Sequence, residues 1–169
     1  AARRGAKSVG LDMMSTALRA ASQVAREENA HDARFILGDA ASMPAPNAVF
    51  DDVLVADLTE HLDDGTLTSM LREVRRVLAP GGHLVIYTPE ASHLFEILRD
   101  KGVMKQDPSH IGVRRARQLA ELTRTAGFTP ELVTYLPSHL PILKQLERTF
   151  GRWIPLLRRR AGVVARRNG

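Results

Sequence analysis

Three short apolar runs that each end on an aspartate constrain the fold of this chain more than any other feature. The run "SVGLD" ends at Asp12, "RFILGD" ends at Asp39 and "VLVAD" ends at Asp57. A short continuous apolar run is typical of a strand buried on both faces, and open α/β sheets bind ligands beyond the carboxyl ends of such strands. We therefore expect the three aspartates to face one ligand.

Strand and helix patterns alternate along the chain, and no internal repeat is visible. Ser15 is expected to cap the first helix. The segment "APGG" at residues 79–82 is expected to break the second helix, and Gly127 is expected to end the last one. Strands are expected over residues 7–12, 33–39, 52–57 and 83–88 and at "TPELVTYL" and "GVVAR"; helices are expected after Ser15 and over 65–78, 92–101 and 114–126. The alternation predicts an α/β fold with a doubly wound, Rossmann-like, mostly parallel sheet and a C-terminal antiparallel strand pair.

Length and composition indicate a single globular domain over residues 1–169. The chain is 44% hydrophobic, which suffices for a core, and it contains no cysteine, which excludes disulfides and thiolate metal sites. No apolar run approaches the length of a membrane span, and the N-terminal "AARRGAKS" lacks the apolar core of a signal peptide. We therefore expect a cytoplasmic location.

The net charge of +5 is concentrated in one segment. Residues 140–169 contain eight Lys or Arg and one Glu, whereas the rest of the chain contains 16 basic and 18 acidic residues. A nucleic-acid-binding domain would spread its positive charge over a face. We therefore predict no nucleic-acid partner and regard 140–169 as a basic C-terminal segment.

Five motifs follow one another in an informative order: "SVGLD", "FILGDA", "FDDVLVADLTEHL", "LREVRRVLAPGGHLVIYTPE" and "RQLAELTRTAGF". In this order they resemble the class I S-adenosylmethionine (SAM) dependent methyltransferases, especially the small-molecule group that includes the ubiquinone O-methyltransferases. The resemblance extends to about Leu136. It implies SAM as the cofactor and methyl transfer to a small-molecule acceptor, with O-methylation favoured over N- or C-methylation.

The resemblance also implies residues for the adenosine part of the cofactor. Asp12 would hold the ribose hydroxyls, Asp39 the adenine amino group, Ala40 would offer its backbone N–H to the ring, and Met13 would lie beside the adenosine. A carboxylate accepts hydrogen bonds only, so it suits a ribose diol. The alternatives are that the two aspartates cap helices or stay solvated, and that Met13 packs as an ordinary apolar side chain.

A second group of residues is implied near the methionine part of the cofactor and the acceptor. The turn after the third strand would bring Ala56, Asp57 and His61 there, and His110 resembles a histidine that faces the acceptor in these enzymes. A neutral imidazole can take the proton of an attacking hydroxyl, so His61 and His110 are candidate general bases. Alternatively, His61 is held by a backbone carbonyl and His110 belongs to an ordinary turn.

No metal-binding role is predicted for the acids of the same turn, and the remaining histidines receive no role. Asp57, Glu60 and His61 resemble an acid-x-x-Glu-His pattern of the ubiquinone group, in which two carboxylates and an imidazole could contribute to a divalent-cation site. We predict no metal, because no second ligand cluster is visible in the sequence. The other histidines, which are expected at the surface or the core edge, are His31, His83, His93 and His139.

Two other classes of protein remain open at this stage. A nicotinamide-dependent Rossmann oxidoreductase also places an acid after its second strand, so Asp12 alone does not exclude an NAD(P) enzyme. A non-catalytic membrane-surface module could use the apolar and basic stretch 153–160, with weak contact through Arg158, Arg159 and Arg160, although Pro155 interrupts it. Oligomeric state has no readable signal.

One expected feature is missing ahead of "AARRGAKSVGLD". The resembled family places a first strand, a glycine-rich D-x-G-x-G-x-G turn and a helix before the strand that ends at Asp12. We therefore expect this chain to be a fragment that lacks the central first strand of the sheet. On that expectation, the 169 residues alone would bind SAM poorly and be inactive.

Overall fold

The computed structural model describes residues 2–103, 105, 108–136, 149, 154, 156 and 159–169. The chain divides into two compact units, residues 1–45 and 46–169, which are described separately. The first contains β1 (Ser8–Asp12), α1 (Ser15–Glu27) and β2 (Ala33–Leu37); the second contains β3 (Phe50–Ala56), α2 (Asp64–Val77), β4 (Leu78–Pro89), α3 (Leu94–Asp100), α4 (Ala116–Thr125), β5 (Phe128–Leu136) and β6 (Arg160–Arg167). Short 3-10 helices occupy Ala2–Arg4 and Thr59–His61.

This order of elements confirms the predicted α/β alternation. The expectation of a single domain stays a prediction. His139, Trp153, Pro155 and Arg158 lie outside the described residues. Within the described part of the chain, no helix combines the length and the apolar character that crossing a membrane requires.

The first unit is a βαβ arrangement in which β1 and β2 pair in parallel, with Asp12 opposite Leu37. The prediction that Ser15 caps α1 is wrong. Met14 occupies the N-cap position without a side-chain hydrogen bond, and the Asp12 carboxylate accepts the Met14 backbone N–H at 2.7 Å. The side chain that ends β1 therefore also organises the entry to α1.

The second unit is built on a four-stranded sheet of order β3-β4-β6-β5. β3 and β4 are parallel, while β6 is antiparallel to both β4 and β5. The predicted antiparallel pairing of the last two strands is confirmed. The later strand, β6, lies between β4 and β5, so β5 forms one edge of the sheet and β3 the other.

Helix α2 provides much of the core of the second unit. Its N-cap, Asp63, accepts the Thr66 backbone N–H at 2.8 Å. Apolar residues at helical spacing form a stripe on α2 that is buried, and its members are Leu67, Met70, Leu71, Val74 and Val77. Met70 and Leu84, the latter on β4, are both 0% exposed. Burial of this stripe is the main reason that the segment is a stable helix.

The sequence predicts that "APGG" separates the helix from a strand starting at His83, and this prediction is wrong. β4 begins at Leu78, directly after α2, and Phe50 of β3 pairs with Leu78 before a register shift. Gly81 has a φ of +78°, and a Cβ on Gly82 would lie 2.6 Å from the Asp51 carbonyl oxygen. The two glycines therefore let β3 and β4 stay in contact through an irregular stretch.

Candidate functional site

Asp12 and Asp39 follow neighbouring parallel strands at the same edge of the first unit. Asp12 is the last residue of β1, is half-buried, and accepts the Met14 N–H through Oδ1. Asp39 is exposed two residues after β2, and its Oδ1 accepts the Ala41 N–H at 2.8 Å. Within the described residues, Oδ2 of neither carboxylate accepts a hydrogen bond. Each aspartate thus retains acceptor capacity for a ligand.

The helix-capping alternative can be tested for both aspartates, whereas their predicted contact with the adenosine part of SAM stays a prediction. Neither aspartate is the N-cap of a helix: Met14 holds that position for α1, and Asp39 enters a turn that bridges back to Ser42. The helix-capping alternative is therefore wrong for both aspartates. Acceptor-only oxygens match ribose hydroxyls and an amino group. Met13 is 71% exposed, so its alternative role as a core side chain is also wrong.

The turn after β3 places Asp57 in contact with β6. Asp57 has a φ of +49°, and its backbone N–H donates to the Tyr87 carbonyl at 2.9 Å. Its carboxylate pairs with the Arg160 guanidinium, which lies 5.1 Å from the centroid of the Tyr87 ring. Ala56 and Asp57 are exposed. Their predicted contact with the methionine part of SAM stays a prediction, and the ion pair with Arg160 was not anticipated.

Glu60 is a buried carboxylate in the 3-10 helix that follows. It is 2% exposed, and its Oε2 accepts a hydrogen bond from the Thr88 hydroxyl at 2.9 Å. The Thr59 hydroxyl in turn donates to Thr88 at 3.0 Å. Sequence reasoning gave Glu60 no role of its own, although a carboxylate directly before a candidate histidine was a usable signal.

The structure brings His61 and His110 together. Their ring centroids lie 4.9 Å apart at an interplanar angle of 72°. Nδ1 of His61 lies 3.0 Å from the Ser109 carbonyl oxygen. A carbonyl only accepts, so Nδ1 carries the proton and Nε2 of the neutral ring has a free lone pair. His61 can therefore be held by a backbone carbonyl through Nδ1 and still be a candidate base through Nε2.

The same two imidazoles form a possible ligand group with Glu60. One ligand atom from each of Glu60, His61 and His110 lies within 4.8 Å of the others. This set differs from the Asp57, Glu60 and His61 pattern weighed from the sequence, because Asp57 pairs with Arg160 and His110 arrives from a distant segment. One carboxylate and two imidazoles could hold a divalent transition metal.

The other described histidines are not members of this ligand group. His93 is 3% exposed and its backbone N–H donates to the Glu90 carbonyl, which agrees with a core-edge role. His83 is half-exposed, 3.3 Å from Asp52 and 3.8 Å from Glu131. His31 is exposed in the first unit.

Comparison with known proteins gives a family. The model of the methyltransferase domain family matches residues 1–86, half of the chain. The chain is 31% identical over 106 residues to an uncharacterized methyltransferase, YcgJ, of Bacillus subtilis, covering 61% of this chain and 41% of that protein. It is 38% identical over 82 residues to demethylmenaquinone methyltransferase of Thermus thermophilus, and the match covers 48% of this chain and 36% of that protein. It is 32% identical over 89 residues to tocopherol O-methyltransferase of Arabidopsis thaliana, and the match covers 52% of this chain and 25% of that protein. The chain thus spans less than half the length of these relatives.

Solved structures show the same fold. A SAM-dependent methyltransferase from Methanosarcina mazei superposes with a TM-score of 0.74 at 18% identity, covering 99% of this chain and 84% of that one. The YcgJ protein from Bacillus subtilis gives a TM-score of 0.69 at 17% identity, covering 95% and 82%. These matches confirm the Rossmann-like α/β fold, and the match to the methyltransferase domain family argues against the nicotinamide-dependent alternative. The chain belongs to the methyltransferase domain family, as a class I SAM-dependent member with SAM as its cofactor.

Proposed function

We propose that this protein transfers a methyl group from SAM to a small-molecule acceptor, most readily to an oxygen. The observation that carries the proposal is the meeting of His61 and His110 beside buried Glu60, just after the β3 strand. The family model covers His61 but ends at residue 86, so His110 adds an independent element from outside the matched range. Two relatives support a small acceptor through their names, tocopherol and demethylmenaquinone, and one supports O-methylation.

Few protein groups are needed for the reaction. SAM supplies an electrophilic methyl group on a sulfonium when it is bound. Asp12 and Asp39 would hold the adenosine part, and Nε2 of His61 would take the proton from the acceptor hydroxyl as the oxygen attacks. Buried Glu60 then lies close enough to balance the positive charge that the imidazole gains. His110 would contact the acceptor from the other side of the ring pair.

The experiment compares three histidine variants of the full-length protein. His61→Gln or His110→Gln should keep its SAM affinity and lose turnover by roughly 10²–10⁴-fold, with a smaller loss for a more acidic acceptor. His31→Gln, which changes an exposed histidine of the first unit, is the control. The acceptor is found first, by offering methyl-labelled SAM together with quinone precursors, phenols, sugars and lipid-linked intermediates. Wild-type turnover in both variants would remove the two histidines from the chemistry.

A divalent cation at Glu60, His61 and His110 is a second candidate role for the same side chains, favoured by their 4.8 Å grouping. Treatment with a chelator distinguishes a cation site from base catalysis. Base catalysis predicts that turnover survives a chelator. A cation site predicts a loss that added Mn²⁺ or Zn²⁺ restores, and weaker binding of the added ion in both His61→Gln and His110→Gln.

The location and the membrane contact are further parts of the proposal. We propose a cytoplasmic protein with at most weak contact to anionic membranes through Arg158, Arg159 and Arg160. Arg160 is already paired with Asp57 and its side chain is 27% exposed, so Arg159 would contribute more than Arg160. Binding of the full-length protein to phosphatidylserine vesicles, compared with uncharged vesicles, tests this contact.

A further inference from the structure

Two segments that are distant in sequence are joined at the histidine pair. The backbone N–H of Gly112 donates to the Glu60 carbonyl at 2.8 Å. The His61 imidazole donates to the Ser109 carbonyl at 3.0 Å. The stretch 109–114 is therefore attached to the turn after β3 by hydrogen bonds on either side of His110. Any residue that fixes this attachment also fixes the distance between the two imidazoles.

Arg114 lies at the centre of the attachment. Its Nη1 donates to the carbonyls of Thr59 at 2.9 Å and Gly112 at 2.7 Å. Its Nη2 donates to the Leu62 carbonyl at 2.9 Å and to the Asp64 carboxylate at 2.7 Å. The side chain is only 11% exposed, whereas that of Asp64 is 87% exposed. The three backbone carbonyls come from both segments, so one guanidinium holds the segments together.

The packing around Gly112 shows how close the two segments are. A Cβ at this position would lie 2.2 Å from the Leu62 carbonyl oxygen and 2.7 Å from Nη1 of Arg114. The first of these contacts is with backbone, which cannot move aside as a flexible side chain would. Gly112 is buried. The approach of the stretch 109–114 to the turn therefore depends on the absence of a side chain here.

We propose that Arg114 is a positioning residue for methyl transfer, which holds the stretch carrying His110 against the turn carrying His61. The inference rests on the proposed function, because it gives the ring pair a role toward the acceptor. Within the described residues, Arg114 donates to backbone carbonyls and to Asp64, so it acts on the imidazoles through the main chain. A planar guanidinium has five donors in a fixed fork, whereas a lysine ammonium is a point charge that cannot span three carbonyls in the same way.

The kinetic test uses Arg114→Met and Arg114→Lys in the full-length protein. Arg117→Met is the matched control, because Arg117 is an exposed arginine on the neighbouring helix α4. Displacement of a reacting group by about 1 Å can cost about 100-fold in rate. We expect kcat to fall by about 10- to 100-fold in Arg114→Met, less in Arg114→Lys, with SAM affinity retained in both. Wild-type kcat in Arg114→Met would overturn the inference.

Two further measurements separate positioning from a general loss of structure. In ¹⁵N NMR of the imidazoles, Arg114→Met should shift or broaden the hydrogen-bonded Nδ1–H of His61, and Arg117→Met should not. In the double variant with His61→Gln, the loss of turnover should be smaller than the product of the two single losses, because both changes act on the same ring pair. Additive losses, or an unchanged His61 signal, would overturn the inference.

The outcomes also distinguish this inference from the proposed function. If His61→Gln keeps full turnover while Arg114→Met still shifts the His61 signal, the base role fails and the positioning of the ring survives. If His61→Gln is slow but the His61 signal and kcat are normal in Arg114→Met, the positioning role fails alone. If Arg114→Met does not fold, Arg114→Lys carries both measurements, and wild-type kcat with an unchanged His61 signal in that variant overturns the inference.

Discussion

Removal of the Asp12 carboxylate should weaken SAM binding while leaving the fold intact. One oxygen of Asp12 accepts the Met14 N–H at 2.7 Å, and the other has no hydrogen bond given within the described residues. Hydrogen bonds to a charged group contribute about 1.5–3 kcal/mol. Loss of such a partner from a ribose diol gives an expected cost of about 2–4 kcal/mol for Asp12→Ala, or about a 30- to 900-fold rise in Kd.

A second substitution isolates the charge. Asp12→Asn keeps an oxygen for the Met14 N–H and removes the negative charge. Charge-assisted hydrogen bonds are about twice as strong as neutral ones, so Asp12→Asn should weaken SAM binding by about half as much free energy as Asp12→Ala does. This is equivalent to about a 5- to 30-fold rise in Kd. Asp32→Asn is the control, because Asp32 is an exposed aspartate of the same unit that precedes β2.

Calorimetric titration of SAM into the full-length protein measures the three affinities, and thermal unfolding measures the fold. Met14 is exposed, so water can replace the lost acceptor of its N–H and the melting temperature should hardly change. Equal SAM affinity in Asp12→Ala and the wild type would remove Asp12 from the ribose role. A fall in affinity that follows a matching loss of stability would show that the side chain acts through the turn instead.

Two further predictions concern α2. Met70 is 0% exposed, so Met70→Ala should lower the free energy of unfolding by about 2–5 kcal/mol in chemical denaturation. Met13 is 71% exposed, so Met13→Ala should change that free energy by less than about 0.5 kcal/mol. Similar effects of the two substitutions would contradict the assignment of the core. Hydrogen bonds from the backbone and hydroxyl of Thr66 lower the pKa of Asp63 from its ordinary 3.8. Because the pKa is lower in the folded state, the ionised carboxylate stabilises the fold at pH values above the ordinary pKa, and this stabilisation is lost as the pH falls through the folded-state pKa. The wild type should therefore lose more stability below about pH 4 than Asp63→Asn does. Parallel profiles of stability against pH would refute this prediction.

Local patterns were sufficient for the elements and for most of their bounds. The stripe on α2 follows from apolar residues at helical spacing, and each such residue up to Val77 is buried as that spacing predicts. The helix stop at Gly127 also follows locally, since its φ of +89° favours glycine. The strand that ends at Asp12 was found from a five-residue run. In each case the cause lies within one or two turns of chain.

Properties that depend on distant partners could not be read from the sequence. Glu60 is buried because Thr88 and the stretch after Ser109 cover it, and neither is near it in sequence. The pairing of Asp57 with Arg160 joins the turn after β3 to β6, and no local pattern specifies it. "APGG" reads as a helix stop, yet the strand begins at Leu78 because β3 offers a pairing partner there. Tertiary contacts decide such cases over local preference.

The position of β6 has a consequence for the synthesis of this domain. β6 follows β5 in sequence but lies between β5 and β4, so within this sheet β5 has no partner until β6 is made. At about 5–20 residues per second, seconds pass on the ribosome between the end of β5 and the end of β6. During that interval both the outer edge of β4 and the whole of β5 expose unpaired backbone groups. The sheet that carries the histidine pair can therefore close only after Arg160–Arg167 has left the ribosome.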